Sequence, residues 1–86
     1  MARFYLHLCN GDGWTRDPDG LEFPDPADAI AAALKDAREL IAADVTEGRP
    51  VFMSSFITVE DAEGQEVHRI TYTDAARFVE GPLPNG

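Results

Sequence analysis

The side chains best suited to chemistry in this 86-residue sequence are one cysteine and two histidines. His7 and Cys9 are two residues apart, so on a strand they share one face, and His68 lies in a later strand-like segment. Zinc needs three or four such ligands, and the sequence has no CxxC or HxxxH spacing. Ser54-Ser55 lacks the flanking glycines of a nucleophile elbow. We therefore predict no catalytic residue, no metal site and no cofactor.

Acidic side chains dominate the charge, with 16 Asp and Glu against 7 Lys and Arg and a net charge of −9. The excess lies in residues 12–28 and 60–66. This balance argues against a nucleic-acid-binding surface, which needs clustered Lys and Arg. Asp17 and Asp19 stand in a D-P-D-G-L-E sequence whose Pro and Gly are misplaced for an EF-hand loop. They are interpreted as turn residues, or alternatively as part of a recognition surface.

These residues must be positioned by a small number of elements. Residues 3–9 alternate as a strand does, and an Asn-Gly-Asp-Gly turn follows. Short extended pieces are expected around Trp14 and at Leu21–Phe23, and longer strands over residues 51–61 and 66–73. The first strand has Phe4, Leu6 and Leu8 on one face and Tyr5, His7 and Cys9 on the other.

A long helix is predicted over Pro26–Glu47. Asp25 is a suitable N-cap, and Pro26 fits the first helical position. Gly48 suits the residue after the helix, and Pro50 prevents continuation. The pattern as a whole predicts an α+β domain over residues 1–80, with a loose, disordered tail over residues 81–86. Its antiparallel sheet has three to four strands in the order strand-strand-helix-strand-strand, with the amphipathic helix packed on one face.

The sheet face without the helix is expected to carry aromatic side chains, including Tyr5, His7, Phe52 and Phe56. Such a patch is typical of a contact surface, and we expect a homodimer. The alternative is that the carboxyl-terminal segment covers this face through Phe78 and Val79. Trp14 has two interpretations, an exposed anchor for a partner or a cap on the core edge beside the helix start.

The motifs R-F-Y-L-H-L, N-G-D-G, D-P-D-G-L-E-F-P-D, D-A-I-A-A-A-L-K-D-A-R-E-L-I-A and V-E-D-A-E-G-Q-E-V-H-R-I occur in this order over residues 2–78. In this order they resemble a family of short bacterial proteins, domain of unknown function 6894, common in alphaproteobacteria. The resemblance implies a compact α+β domain without an established activity. A looser similarity links the F-P-D, A-R-E-L and G-R-P-V segments to HicB-like antitoxins, which mask a basic ribonuclease toxin. The sequence lacks their glycine- and hydroxyl-rich segment before the helix.

The sequence thus favours a non-enzymatic protein-interaction or dimerisation module with an unknown protein partner. The alternative is a HicB-like neutraliser of a basic protein, acting through the acidic residues 12–28. No apolar run is long enough for a membrane helix, and the amino terminus has no signal-peptide pattern. A single cysteine cannot form an internal disulfide, so we expect a cytoplasmic protein. From the charge balance and the lack of a long apolar run, we expect no nucleic-acid partner and no membrane partner.

Overall fold

The computed structural model describes residues 1–77 and 81–84. It shows an α+β fold in which one long helix packs on an antiparallel sheet of five strands. The elements in chain order are β1 (Ala2–Asn10), β2 (Gly13–Thr15), β3 (Leu21–Phe23), α1 (Pro26–Glu47), β4 (Phe56–Glu60), β5 (Glu66–Thr71) and α2 (Tyr72–Ala75). The predicted fold class is confirmed.

The sheet has more strands than expected because the chain that pairs with one edge of β1 is interrupted and forms two short strands, β2 and β3. Leu8 of β1 pairs with Thr15 of β2, and Phe4 pairs with Leu21 of β3. Between these pairs β1 advances four residues and its partner six, so residues 16–20 loop out of the ladder. We call residues 16–20 the β2–β3 loop. On the other side, β1 pairs with β4 and β4 pairs with β5.

The limits of α1 agree with the sequence prediction because local capping sets both ends. The Asp25 side chain accepts hydrogen bonds from the backbone N–H of Ala27 at 2.8 Å and of Asp28 at 3.3 Å. At the other end, Gly48 adopts a left-handed conformation with φ of 72°, which glycine enters at little cost.

The core lies between α1 and the sheet, and alanines allow close approach. The buried residues of α1 are Ala29, Ala33, Ala37 and Ile41. They pack mainly over β4, β5 and α2 rather than over β1. Phe4 is buried, whereas Leu6 and Leu8 are only partly buried although they lie on the same face of β1.

The predicted strand over residues 51–61 is wrong for its first half. Only Phe56–Glu60 is strand, and residues 51–55 form an irregular turn in which the Ser55 N–H donates to the Phe52 carbonyl at 2.9 Å. Val51 and Met53 still pack against the core without being in a strand. Alternating apolar residues indicate which side chains are buried. They do not distinguish a strand from an irregular segment that buries the same side chains.

The last predicted strand also ends earlier than residue 73. Thr71 caps α2, because its hydroxyl accepts from the Asp74 N–H at 3.0 Å and the Asp74 carboxylate accepts from the Thr71 N–H at 3.4 Å. Phe78 and Val79, and part of the predicted tail, lie outside the described residues. Within the described residues, no helix is long and apolar enough to cross a membrane.

Candidate functional site

The sheet face opposite α1 carries a cluster of aromatic and cationic side chains. Trp14 of β2 and Phe56 of β4 both pair with Cys9 of β1, so the register places them on one face. Their ring centroids are 5.6 Å apart with an interplanar angle of 82°, a favourable edge-to-face arrangement. Trp14 is 49% exposed and is not part of the core cluster.

Two arginines lie against these rings. The guanidinium carbon of Arg16 is 4.8 Å from the Trp14 ring centroid, and that of Arg69 is 4.0 Å from the Phe56 ring centroid. Arg69 also donates two hydrogen bonds to Glu66, at 2.9 and 3.2 Å, which lower the pKa of the Glu66 carboxyl. We call Trp14, Phe56, Arg16 and Arg69 the aromatic–cation cluster.

His7 lies on the same face but is only 6% exposed, because the β2–β3 loop folds over it. Its Nδ1 accepts a hydrogen bond from the Asp17 N–H at 2.9 Å. The ring proton of the neutral imidazole therefore lies on Nε2, which is 3.3 Å from a carboxylate oxygen of Glu60. Tyr5, which is half-buried, stacks near His7 with ring centroids 6.3 Å apart. His7 is thus part of the internal packing of this face.

Asp17 organises the β2–β3 loop. Its carboxylate accepts hydrogen bonds from the backbone N–H of Gly20 at 3.0 Å, Leu6 at 3.2 Å and Asp19 at 3.3 Å. Partial burial acts to raise the pKa of Asp17, but these hydrogen bonds outweigh it, so the pKa is lowered. The Asp17 carboxylate therefore has an internal structural role, while Asp19 is exposed.

Phe52 is separate from the aromatic–cation cluster. It lies in the irregular segment before β4, is 56% exposed, and covers Gly11 in the turn after β1. A Cβ at Gly11 would come within 2.7 Å of the Phe52 ring, so the two residues are in close contact. The expectation that Phe52 and Phe56 share one strand face is wrong, because residues 51–55 are not a strand.

Sequence reasoning missed four residues of this face: Arg16, Thr58, Glu60 and Arg69. Thr58, on the central strand β4, is 1% exposed, and its hydroxyl has no hydrogen-bond partner among the described residues. Trp14 and Arg16 are two residues apart in the extended piece expected around Trp14, and this spacing was the available signal for the cation near the tryptophan. Nothing local indicated that Arg69 would lie over Phe56, since this contact depends on the pairing of β4 with β5.

The described part of the chain contains no group of three or more His, Cys, Asp or Glu side chains placed to hold a metal ion. The fold and this surface define a small α+β domain that presents an aromatic and cationic sheet face opposite its single long helix.

Residues 3–73 match the family model described as Domain of unknown function (DUF6894), and the chain belongs to this family. No curated protein and no solved structure gives a significant match. The looser similarity to HicB-like antitoxins and the alphaproteobacterial association gain no support from these comparisons.

Proposed function

We propose that this protein is a non-enzymatic protein-interaction module that forms a homodimer through its helix-free sheet face. The observation that carries the proposal is the half-exposed Trp14, held edge-on by Phe56 and accompanied by two arginines. Tryptophan and arginine are the residue types most enriched among those that dominate binding energy at protein interfaces. The rings are held in place before binding, which lowers the entropy cost of association.

The charges on this face favour a second copy as the partner. A two-fold contact brings the same patch together from both subunits, so the patch must complement itself. A guanidinium nitrogen of Arg16 lies 3.9 Å from a carboxylate oxygen of Glu60, and Arg69 is paired with Glu66, so each arginine of the cluster has a carboxylate beside it. A two-fold contact can therefore place a cation of one subunit against a carboxylate of the other. The proposed setting is the cytoplasm, since a single cysteine gives no internal disulfide.

Analytical ultracentrifugation of the full chain over a wide concentration range tests this proposal. We expect a monomer–dimer equilibrium, and we expect Trp14→Ala to raise the dissociation constant about tenfold or more, the effect of losing an interface anchor. Trp14→Phe keeps an aromatic ring and should lose less affinity.

Val45→Ala is the matched control. Val45 is 64% exposed on α1, so this change also removes exposed apolar surface, but away from the sheet face. A protein that stays monomeric at the highest concentrations, or a dimer weakened equally by Trp14→Ala and Val45→Ala, would contradict the proposal.

The alternative is that the acidic residues 12–28 neutralise a basic partner protein. This alternative has less support than the dimer. Asp17 is engaged with three backbone N–H groups and Asp25 caps α1, so both carboxylates already serve the fold. The other four carboxylates of this segment remain exposed: Asp12, Asp19, Glu22 and Asp28. Affinity purification at low and high salt separates the two ideas, because salt weakens an exposed acidic contact far more than an aromatic one.

A further inference from the structure

A groove opens on the opposite face of the sheet, between α1 and β1. Its volume is about 320 Å³, in the range of sites that hold small ligands or a few side chains. Apolar side chains form its floor and two carboxylates from α1 form its rim. The lining residues are Leu6, Leu8, Leu40, Ile57, Asp36 and Glu39.

The groove exists because α1 is not centred on the sheet. One flank of the helix is closed against α2, where Arg38 Nε donates to the Ala75 carbonyl at 3.0 Å. The helix packs mainly over β4 and β5, so its other flank does not fully cover β1. Leu6 and Leu8 consequently remain only partly buried on a face that otherwise forms the core.

The rim is acidic and only weakly neutralised. Among the described residues, no Lys, Arg or His side chain lies within 4 Å of the Asp36 carboxylate. Partial burial and the nearby Glu39 raise the pKa of Asp36, while Lys35 opposes this shift. Lys35 lies 4.0 Å from Glu39, but both side chains are largely exposed, so this pair contributes little.

We propose that this groove binds a basic amphipathic segment of a partner protein. Its apolar side chains would pack on the leucines of the floor, and a Lys or Arg would pair with Asp36 and Glu39. Charge complementarity favours this occupant, because a carboxylate rim repels acidic segments and the net charge of −9 attracts a basic one. An apolar floor inside a charged rim is also the arrangement that receives one face of an amphipathic helix.

This inference goes beyond the proposed dimer, since the groove and the aromatic–cation cluster lie on opposite faces of the sheet. The probe is a synthetic amphipathic peptide of leucine and lysine, with a glutamate-for-lysine peptide as the negative comparison. Its binding to the full-length protein is measured by fluorescence anisotropy. We expect the lysine peptide to bind and the glutamate peptide not to bind.

The decisive comparison is between two double variants that remove the same charge. Asp36→Asn with Glu39→Gln should weaken binding of the lysine peptide about tenfold, because two ion pairs are lost together and the bound peptide shields both carboxylates from water. Asp12→Asn with Glu63→Gln removes two exposed carboxylates from turns outside the groove and should change the affinity much less. Equal weakening by the two double variants would overturn the proposal, since net charge alone would then explain binding.

Chemical-shift mapping locates the bound peptide. We expect the methyl signals of Leu6, Leu8 and Leu40 to move, and the Trp14 indole signal to stay unchanged. Movement confined to Trp14 would assign peptide binding to the other face and overturn the proposal. The double variant Asp36→Asn, Glu39→Gln could instead change the dissociation constant of the dimer and leave the peptide affinity unchanged. That outcome would assign the groove to a second copy of the chain and overturn the proposal. The proposed dimer is tested by Trp14→Ala, so the two proposals can fail separately.

Discussion

Thr58 combines tight packing with an unsatisfied polar group. It lies on β4, between His7 of β1 and Arg69 of β5, and is almost completely buried. Its methyl group is suited to this position, but its hydroxyl has no hydrogen-bond partner among the described residues. A buried polar group without a partner costs free energy, because water no longer solvates it.

We therefore expect Thr58→Val to increase the free energy of unfolding by about 1 kcal/mol, since valine keeps the shape and removes the hydroxyl. The matched control is Thr71→Val, the same chemical change at a residue whose hydroxyl caps α2. It should decrease the free energy of unfolding by about 1 kcal/mol. Urea unfolding measures both variants. A loss of stability in Thr58→Val would show that its hydroxyl is hydrogen-bonded.

At the scale of elements, the β2–β3 loop determines what the helix-free face presents. It buries His7, and it leaves its own first residue, Arg16, and Trp14 in the preceding strand exposed. The last residue of the loop, Gly20, lies against β1; it has φ of 67° and donates its N–H to the Asp17 carboxylate. A Cβ at Gly20 would lie 2.7 Å from the Phe4 carbonyl oxygen and 2.9 Å from the Tyr5 ring.

Gly20→Ala should therefore destabilise the protein by about 2 kcal/mol or more, since it adds a clash with backbone to an unfavourable φ. Gly48 has nearly the same φ, 72°, but open space around its Cβ position. Gly48→Ala should cost only about 1 kcal/mol, the conformational part alone. Thermal and urea unfolding of the two variants give the comparison. Equal losses would mean that the loop moves away from β1 without cost.

The elements that could be predicted from sequence are those set by local interactions. α1 was predicted to the residue because Asp25, Pro26 and Gly48 act within one turn of the helix ends. The inner face of β1 followed from alternation alone. His7 was placed on the correct face, but its burial depends on a loop ten residues away in sequence. The contact of Arg69 with Phe56 likewise depends on strand pairing, which no local pattern encodes.

At the scale of the whole molecule, the excess of negative charge is distributed over carboxylates with opposite effects on stability. Asp17 has a lowered pKa because backbone N–H groups stabilise its charged form. Its contribution is present above the unfolded-state pKa, about 3.9, and is lost as the pH falls through its lower folded-state pKa. Asp36 has a raised pKa because partial burial and Glu39 disfavour its charged form. Its charge therefore destabilises the fold at neutral pH, and protonation relieves this cost.

These opposite signs predict opposite effects of two similar substitutions. At about pH 7, Asp17→Asn should lower the free energy of unfolding and Asp36→Asn should raise it. Glu63→Gln, at an exposed turn position, is the control for the general benefit of removing one negative charge from a protein of net charge −9. Urea unfolding at about pH 7 and about pH 3 gives the comparison, and both differences should shrink in acid as the wild-type carboxyls become protonated.

If Asp36→Asn stabilises no more than Glu63→Gln, the Asp36 carboxylate has no local cost. A larger gain would mean that the groove keeps a carboxylate that the fold alone disfavours, as expected for a residue retained for binding.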